Sequence, residues 1–387
     1  MGLTSHRHVA ASFALAALFG APAALAEELP PGHPPIGGHA ADSVELPPGH
    51  PPIGAHAKGK GRGIALPFDL RLHGRFDVSY ERHSYSDAFW DGKDAFRNYH
   101  RFLFLERRAK DDPFFFSAEL LGATFYEIGA RFKGEKDEIW RLNLAAGKVL
   151  VPFGADPLYH HAYGGRVGAD QRVLPIVWAE FGLKGTLDLD LSPFALKIDA
   201  FALRGYALRA ADGILNLQSG MAPTDDLNFA GGGRVSLSYG GATINYSVYG
   251  GTLDFDRSLL MQAFDITLWR LDLPVLRDFA ITAGVLRADV FGGDIDSYYH
   301  FADYLQVRYY PTDCLYIQYR GGLDMRDNRE GVFADGTRLD RFDTSAHSLS
   351  VGWIHNNFSL VLQHIWQLEL VDEQDDDLLR LTATYEF

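Results

Sequence analysis

The chain has 387 residues, 36 Lys and Arg against 50 Asp and Glu, a formal net charge of -14, and 47% hydrophobic residues. That acidity argues against nucleic acid as a partner. The lone cysteine, Cys314, rules out an internal disulfide and reads as a buried filler.

Residues 1–26 read as a signal peptide. His6, Arg7 and His8 give a basic start, Val9–Phe19 is mostly apolar, and Ala24-Leu25-Ala26 is a small-x-small cleavage site before Glu27. Removing Arg7 takes the net charge from -14 to -15. No later run approaches the roughly 18 apolar residues of a transmembrane helix.

Residues 27–64 form a Pro/Gly/His-rich tail, expected to be disordered. Glu28–Ala40 returns as Glu45–Ala57 with a period of 17, Gly38 being replaced by Ala55. Proline this dense favours extended polyproline II and forbids a helix or central strand. Three readings stay open: a solvated tether, a docking peptide for a periplasmic partner, or His33, His39, His50 and His56 as ligands of a metal or haem iron.

Residues 65–387 alternate apolar and polar side chains over sixteen segments, near 68–80, 99–109, 113–121, 124–133, 139–150, 174–187, 194–204, 232–240, 242–251, 261–271, 279–289, 301–310, 314–322, 346–355, 358–367 and 377–387. Gaps after even-numbered segments are short and turn-rich, as at Lys110–Asp112, Gly134–Asp137, Asp188–Pro193, Gly240-Gly241, Pro311–Asp313 and Asn356-Asn357. Most gaps after odd-numbered segments are long: Glu81–Asn98, Val151–Val173, Gly205–Gly231, Val290–His300 and Leu323–Ser345. Sorting loops by parity predicts an all-β fold, a transmembrane antiparallel β-barrel of 16 strands in outer-membrane lipid. An even strand count puts both termini, and the tail, in the periplasm. Tyr80, Tyr99, Trp140, Tyr239, Trp269, Tyr309, Tyr310, Trp353 and Trp366 lie near strand ends, where interfacial girdles are expected. The last segment alternates and stops on Phe387. It resembles the terminal strand of outer-membrane proteins, whose final Phe is read by the barrel-assembly machinery.

A sixteen-strand barrel is too wide for its own side chains to fill. The gap Val151–Val173 is the candidate constriction loop, with Asp156, His160, His161, Arg166, Asp170 and Arg172. It follows Gly147-Lys148 and Val151-Pro152-Phe153-Gly154, and precedes Trp178-Ala179-Glu180-Phe181-Gly182-Leu183-Lys184-Gly185. These motifs resemble the phosphate-selective porin family. The resemblance implies a homotrimer of sixteen-strand channels for small solutes, with no cofactor.

Alternation predicts the pore-lining set. Arg71, Arg75, Arg131, Arg141, Lys197, Arg234, Arg308, Arg320 and Arg380 point inward with Asp69, Asp77, Glu127, Asp199, Asp265 and Glu386. The excess of cations predicts a weak anion preference; cross-strand pairing with carboxylates would cancel it. No Gly-x-Ser-x-Gly elbow supports an enzyme. The alternative is a barrel that docks or sheaths a periplasmic partner, for example a cytochrome, through its His-Pro repeats. Without Cys-x-x-Cys-His the chain attaches no c-type haem itself.

Overall fold

A computed structural model describes residues 63–83, 95–98, 101–107, 112–121, 125–134, 139–154, 179–204, 227–253, 257–271, 273, 275–292, 298–327, 344–369 and 377–387. Of the eighteen strands in this region, two are short accessories, Ile64–Leu66 and Ala95–Arg97. The other sixteen form one closed antiparallel wall. They are β1 Leu70–His83, β2 Arg101–Arg107, β3 Phe114–Glu119, β4 Tyr126–Lys133, β5 Trp140–Leu150, β6 Ala179–Leu191, β7 Phe194–Leu203, β8 Leu227–Tyr239, β9 Ala242–Leu253, β10 Arg257–Trp269, β11 Phe279–Gly292, β12 Tyr298–Thr312, β13 Leu315–Asp327, β14 Thr344–His355, β15 Phe358–Glu369 and β16 Leu378–Glu386.

Each strand pairs with its sequence neighbours, and β16 pairs with β1 from Leu378↔His83 to Glu386↔Arg75. The ladder runs one residue further. Gly74 N–H donates to Phe387 O at 3.0 Å, and Phe387 N–H returns to Gly74 O at 3.1 Å. The Phe387 ring lies against Gly74 and between Phe76 and Tyr385. A Cβ at Gly74 would meet that ring at 2.8 Å. Below Phe387 the same edge of β1 is taken over by the accessory strand, with Ile64↔Leu72 and Leu66↔Leu70. The incoming chain thus fills the slot that β16 leaves empty, and no stretch of β1 presents an open edge there.

Strand alternation separates two faces. On β1, Asp77, Ser79 and Glu81 are buried while Phe76 and Val78 are exposed. Other exposed hydrophobics share the outward parity, among them Ile128, Leu144, Leu183, Ile198, Val235, Leu237, Phe264, Val285, Leu349 and Leu362. An outer face this apolar suits hydrocarbon rather than water. Aromatic pairs ring its short-turn end: Phe194 with Tyr239, Phe279 with Tyr309, and Trp353 with Phe358, at centroid distances of 5.1, 5.0 and 6.0 Å. Tyr80 and Phe96 pair outward nearer the other end. Trp269 and Tyr310 depart from the expected girdle: their parity is inward and they meet edge-on at 5.8 Å. Tyr99 lies outside the described residues.

All sixteen expected strands overlap observed ones, with shifted ends. β1 starts at Leu70; Phe68 and Asp69 form a turn at φ 66° and 59°, so Asp69 faces no lumen. β1 also runs past Tyr80, and Ala95–Arg97 pairs back onto Ser79–Glu81 within the expected loop. β6 extends to Leu191, which places Asp188 in a strand and leaves Ser192-Pro193 as the turn. β8, β10 and β13 also run further at their loop ends than alternation suggested. Above an apolar band, outward residues need not be apolar, so the signal fades while the hydrogen-bond ladder continues. Cys314 is exposed in the turn after β12 rather than buried, because the register shift between Tyr309 and Thr312 ends the inward-outward alternation there. In the turn before β3, Asp112 accepts from Phe114 N–H and pairs with Arg107. Those two interactions hold its carboxyl below the usual range.

The ring is also tied by side chains. Arg380 of β16 pairs with Glu81 of β1 at 2.6 Å, both almost fully buried. Arg380→Met removes this partner from the buried Glu81 carboxylate, so the urea midpoint of the folded barrel should fall by the equivalent of about 3–5 kcal/mol. Glu81→Gln in the same chain should restore most of the loss.

Candidate functional site

The inner face is where most of the sequence-predicted wall residues lie. Arg71, Arg75 and Asp77 are on β1, Glu127 and Arg131 on β4, Arg141 on β5, Lys197 and Asp199 on β7, Arg234 on β8, Arg308 on β12, Arg320 on β13 and Arg380 on β16. All share the inward parity. Many form cross-strand pairs. Arg234 Nη2 lies 2.9 Å from Asp199 Oδ2, and Thr186 O–H donates to the other Asp199 oxygen at 2.7 Å. Arg75 pairs with Glu386 at 3.2 Å and Arg141 with Asp188 at 3.4 Å. Lys184 reaches Glu127 at 3.0 Å, and Arg131 donates to Asn143. The competing expectation, that inward cations pair with carboxylates on adjacent strands, therefore describes much of this wall.

Arg308 and Arg320 have a different setting. Arg308 Nε donates to Gln318 Oε1 at 2.9 Å and its Nη1 to the Tyr310 hydroxyl at 3.1 Å. Its guanidinium lies 4.6 Å from the Tyr316 ring centroid. Arg320 donates to Gln306 Oε1 and lies 4.8 Å over Tyr304. Tyr304 in turn donates to Asp265 at 3.0 Å. Register links these groups: Arg308, Gln318, Ser350, Gln363, Arg380 and Glu81 are successive cross-strand partners from β12 to β1. The row crosses the seam, and strand tilt makes such a row climb the wall obliquely.

The opposite inner sector carries a large apolar cluster. Val149, Phe201, Leu203, Tyr249, Leu259, Met261 and Leu286, from β5 through β11, form one buried cluster. Val151 and Phe153, just past the end of β5, belong to it, and Phe153 meets Tyr249 edge-on at 6.3 Å. The chain therefore turns into the barrel on leaving β5. Burying Val151 and Phe153 is worth about 1.5–3 kcal/mol each. Polar contacts then fix the path: Gly154 N–H donates to Ser247 Oγ at 3.0 Å, and Arg234 Nη1 donates to Gly154 O at 3.1 Å. One guanidinium thus joins β7, its own strand β8 and the entering segment. Gly154 has φ 76° and Gly147 φ 135°, and a Cβ at Gly147 would collide with Tyr126 O. Both glycines of the motif are required by backbone conformation. Asp156, His160, His161, Arg166, Asp170 and Arg172 lie outside the described residues, as do Trp178 and His33, His39, His50 and His56. Among the described residues no His, Cys, Asp and Glu cluster could hold a metal ion.

No family model and no curated protein sequence matches the chain. Solved structures match its fold. An anion-selective porin from Comamonas acidovorans aligns with TM-score 0.55 and 11% identity, over 82% of this chain and 99% of that one. The outer-membrane channel DcaP of Acinetobacter baumannii gives 0.54 and 13%, over 84% and 100%. OmpF of Salmonella typhi, in complex with daunomycin, gives 0.52 and 10%, over 82% and 97%. At these identities the likeness is one of fold.

Sequence reasoning missed Glu81, Lys184, Asp188, Gln306 and Gln318. Lys184 had the right parity on a predicted strand. Glu81 and Asp188 lay just past predicted ends, and the neutral glutamines carried no charge signal. Arg234→Met should free Gly154 O and loosen the segment after β5. Trypsin cleavage of the folded protein after Arg166 or Arg172 should speed up several-fold, with the barrel itself staying intact on a heat-modifiability gel.

Proposed function

We propose that the barrel is an outer-membrane porin, a water-filled channel for passive diffusion of small solutes. The observation that carries this reading is the segment Val151–Gly154, which turns from β5 into a closed barrel with an apolar exterior and a polar inner row. A chain drawn inward from the third odd-numbered strand narrows a lumen that sixteen strands leave too wide to fill. Asp156, His160, His161, Arg166, Asp170 and Arg172 then line the narrowest part. The fold shared with outer-membrane porins supports the same reading.

The channel is weakly anion-preferring. The inner face carries Arg71, Arg75, Arg131, Arg141, Lys197, Arg234, Arg308, Arg320 and Arg380, a cationic set that supports this preference, and Arg308 and Arg320 lie against glutamine and tyrosine. Phosphate selectivity has only the short motifs in its favour. Trimeric assembly is part of the same proposal.

The chain enters beside β1 near Phe387, at the short-turn end, which supports a tail, residues 27–62, that hangs in the periplasm. There its repeats bind a periplasmic partner, and the terminal Phe387 is the signal for the barrel-assembly machinery. The signal peptide of residues 1–26 delivers the chain to that side.

Purified full-length protein in a planar bilayer should give discrete conductance steps. In a salt gradient the reversal potential should favour chloride modestly. Arg308→Gln with Arg320→Gln should move it toward zero without closing the channel. No conductance from a folded barrel would contradict the porin reading. Loss of a co-purifying partner on deleting residues 27–62, with conductance retained, would support tail docking.

A further inference from the structure

We propose that the second Pro-rich copy, Glu45–Ala57, lies across the short-turn mouth of the barrel and docks on the turn between β10 and β11. The inference rests on the reading above that puts the tail at this end, and adds its seat. Nine residues, 270–278, separate Trp269 from Phe279. At the same end Gly240-Gly241, Asp313-Cys314 and Asn356-Asn357 make their turns with two. The long turn is nonetheless fixed. Arg270 N–H donates to Phe279 O, Arg277 N–H to Leu273 O, and Tyr310 N–H to Asp278 O, at 2.8, 3.0 and 2.8 Å. On this turn Val275 and Leu273 are exposed by 77% and 52%. They lie beyond the outward Phe279–Tyr309 pair of the girdle, so they meet water rather than hydrocarbon. Apolar side chains held rigidly in water mark a docking surface.

The lumen side of the turn continues that surface. Trp269 and Tyr310 point inward, each half-buried, and meet edge-on. Arg270, at φ 44°, folds back with its guanidinium 4.4 Å from the Tyr310 ring centroid. Its ion pair with Asp313 is long, at 3.9 Å, and Asp313 is 78% exposed. Flat rings beside a loosely paired cation suit an extended, proline-rich, acidic peptide. Proline-rich segments dock on aromatic surfaces, and polyproline II is ordered before it binds. Residues 41–57 carry Asp42 and Glu45 and no Lys or Arg. Chain length fits as well. Gly63 lies beside Leu72 and His73 of β1. Sixteen strands about 4.8 Å apart and tilted about 40° make a mouth about 30 Å across, with the β10–β11 turn nearly opposite β1. At about 3.3 Å per residue, Pro52, eleven residues before Gly63, reaches about 36 Å. The first copy, Glu28–Ala40, lies 17 residues further out and is the one left for a periplasmic partner.

The test uses the full-length protein with Cys314→Ser and a cysteine pair. In isolated outer membranes under mild oxidation, Pro52→Cys should form a disulfide with Val275→Cys several-fold faster than with Asn357→Cys. Asn357 is exposed on the turn between β14 and β15, nearer β1 along the rim, so an undocked tether favours it. Leu273→Asp should abolish the preference for Val275; if that variant does not fold, Trp269→Ser takes its place. Equal rates without Leu273→Asp, or a preference that Leu273→Asp leaves intact, overturn the proposal. Changing Pro47, Pro48, Pro51 and Pro52 to Ser should raise the single-channel conductance, and an unchanged conductance contradicts a segment across the mouth. A folded barrel that conducts in neither form ends the porin reading, and the cross-link alone then decides the docking. Labelling of Pro52→Cys by an impermeant maleimide on intact cells overturns the periplasmic reading of the tail and this proposal with it.

Discussion

The structure depends on closing a hydrogen-bonded ring. An unpaired backbone N–H or C=O facing hydrocarbon costs several kcal/mol, and a sheet with open edges exposes a row of them. The β16–β1 ladder removes both edges at once. Three local features serve that seam. Gly74 leaves room for the Phe387 ring, the Ile64–Leu66 strand takes over the edge where β16 stops, and the Arg380–Glu81 pair joins the two strands from inside. The division into an apolar skin and a polar lining follows from closure, because side chains alternate strictly across each strand.

The interior is two-sided, and the division has a mechanical sense. From β5 to β11 apolar side chains give the segment after β5 something to pack on, and Arg234 and Ser247 hold its backbone. From β12 round to β1 the wall carries arginine, glutamine, serine and tyrosine beside a smaller apolar cluster of Tyr304, Ala346, Ile365 and Leu378. The cations are mostly compensated where they serve anchoring or closure, as Arg234 and Arg380 are. Arg308 and Arg320 lie against glutamine and tyrosine side chains.

Much of this was legible from a period of two. Every strand of the wall could be placed because lipid imposes the same alternation on each crossing. Legibility ended where that pressure ends. Glu81 and Asp188 lie beyond the apolar band, so their strands looked finished, and their pairing with Arg380 and Arg141 was hidden. Asp69 fitted the alternation of β1 but falls in a turn at positive φ. Cys314 sits past a register shift, where inward-outward counting no longer holds. The inward turn after β5 was expected from loop order alone; its cause, the seat formed by Tyr249, Phe201 and Met261, involves strands far apart in sequence.

The most direct test of the closed ring is a cross-link across the seam. Ser79 Oγ and Thr382 Oγ1 lie 2.8 Å apart on β1 and β16. With Cys314→Ser, the double variant Ser79→Cys/Thr382→Cys should form a disulfide under mild oxidation in native membranes. The boiled protein should then migrate as a cyclised species that reverts on reduction. A folded, membrane-inserted protein whose two thiols stay reduced would contradict the ring, and the channel proposal with it.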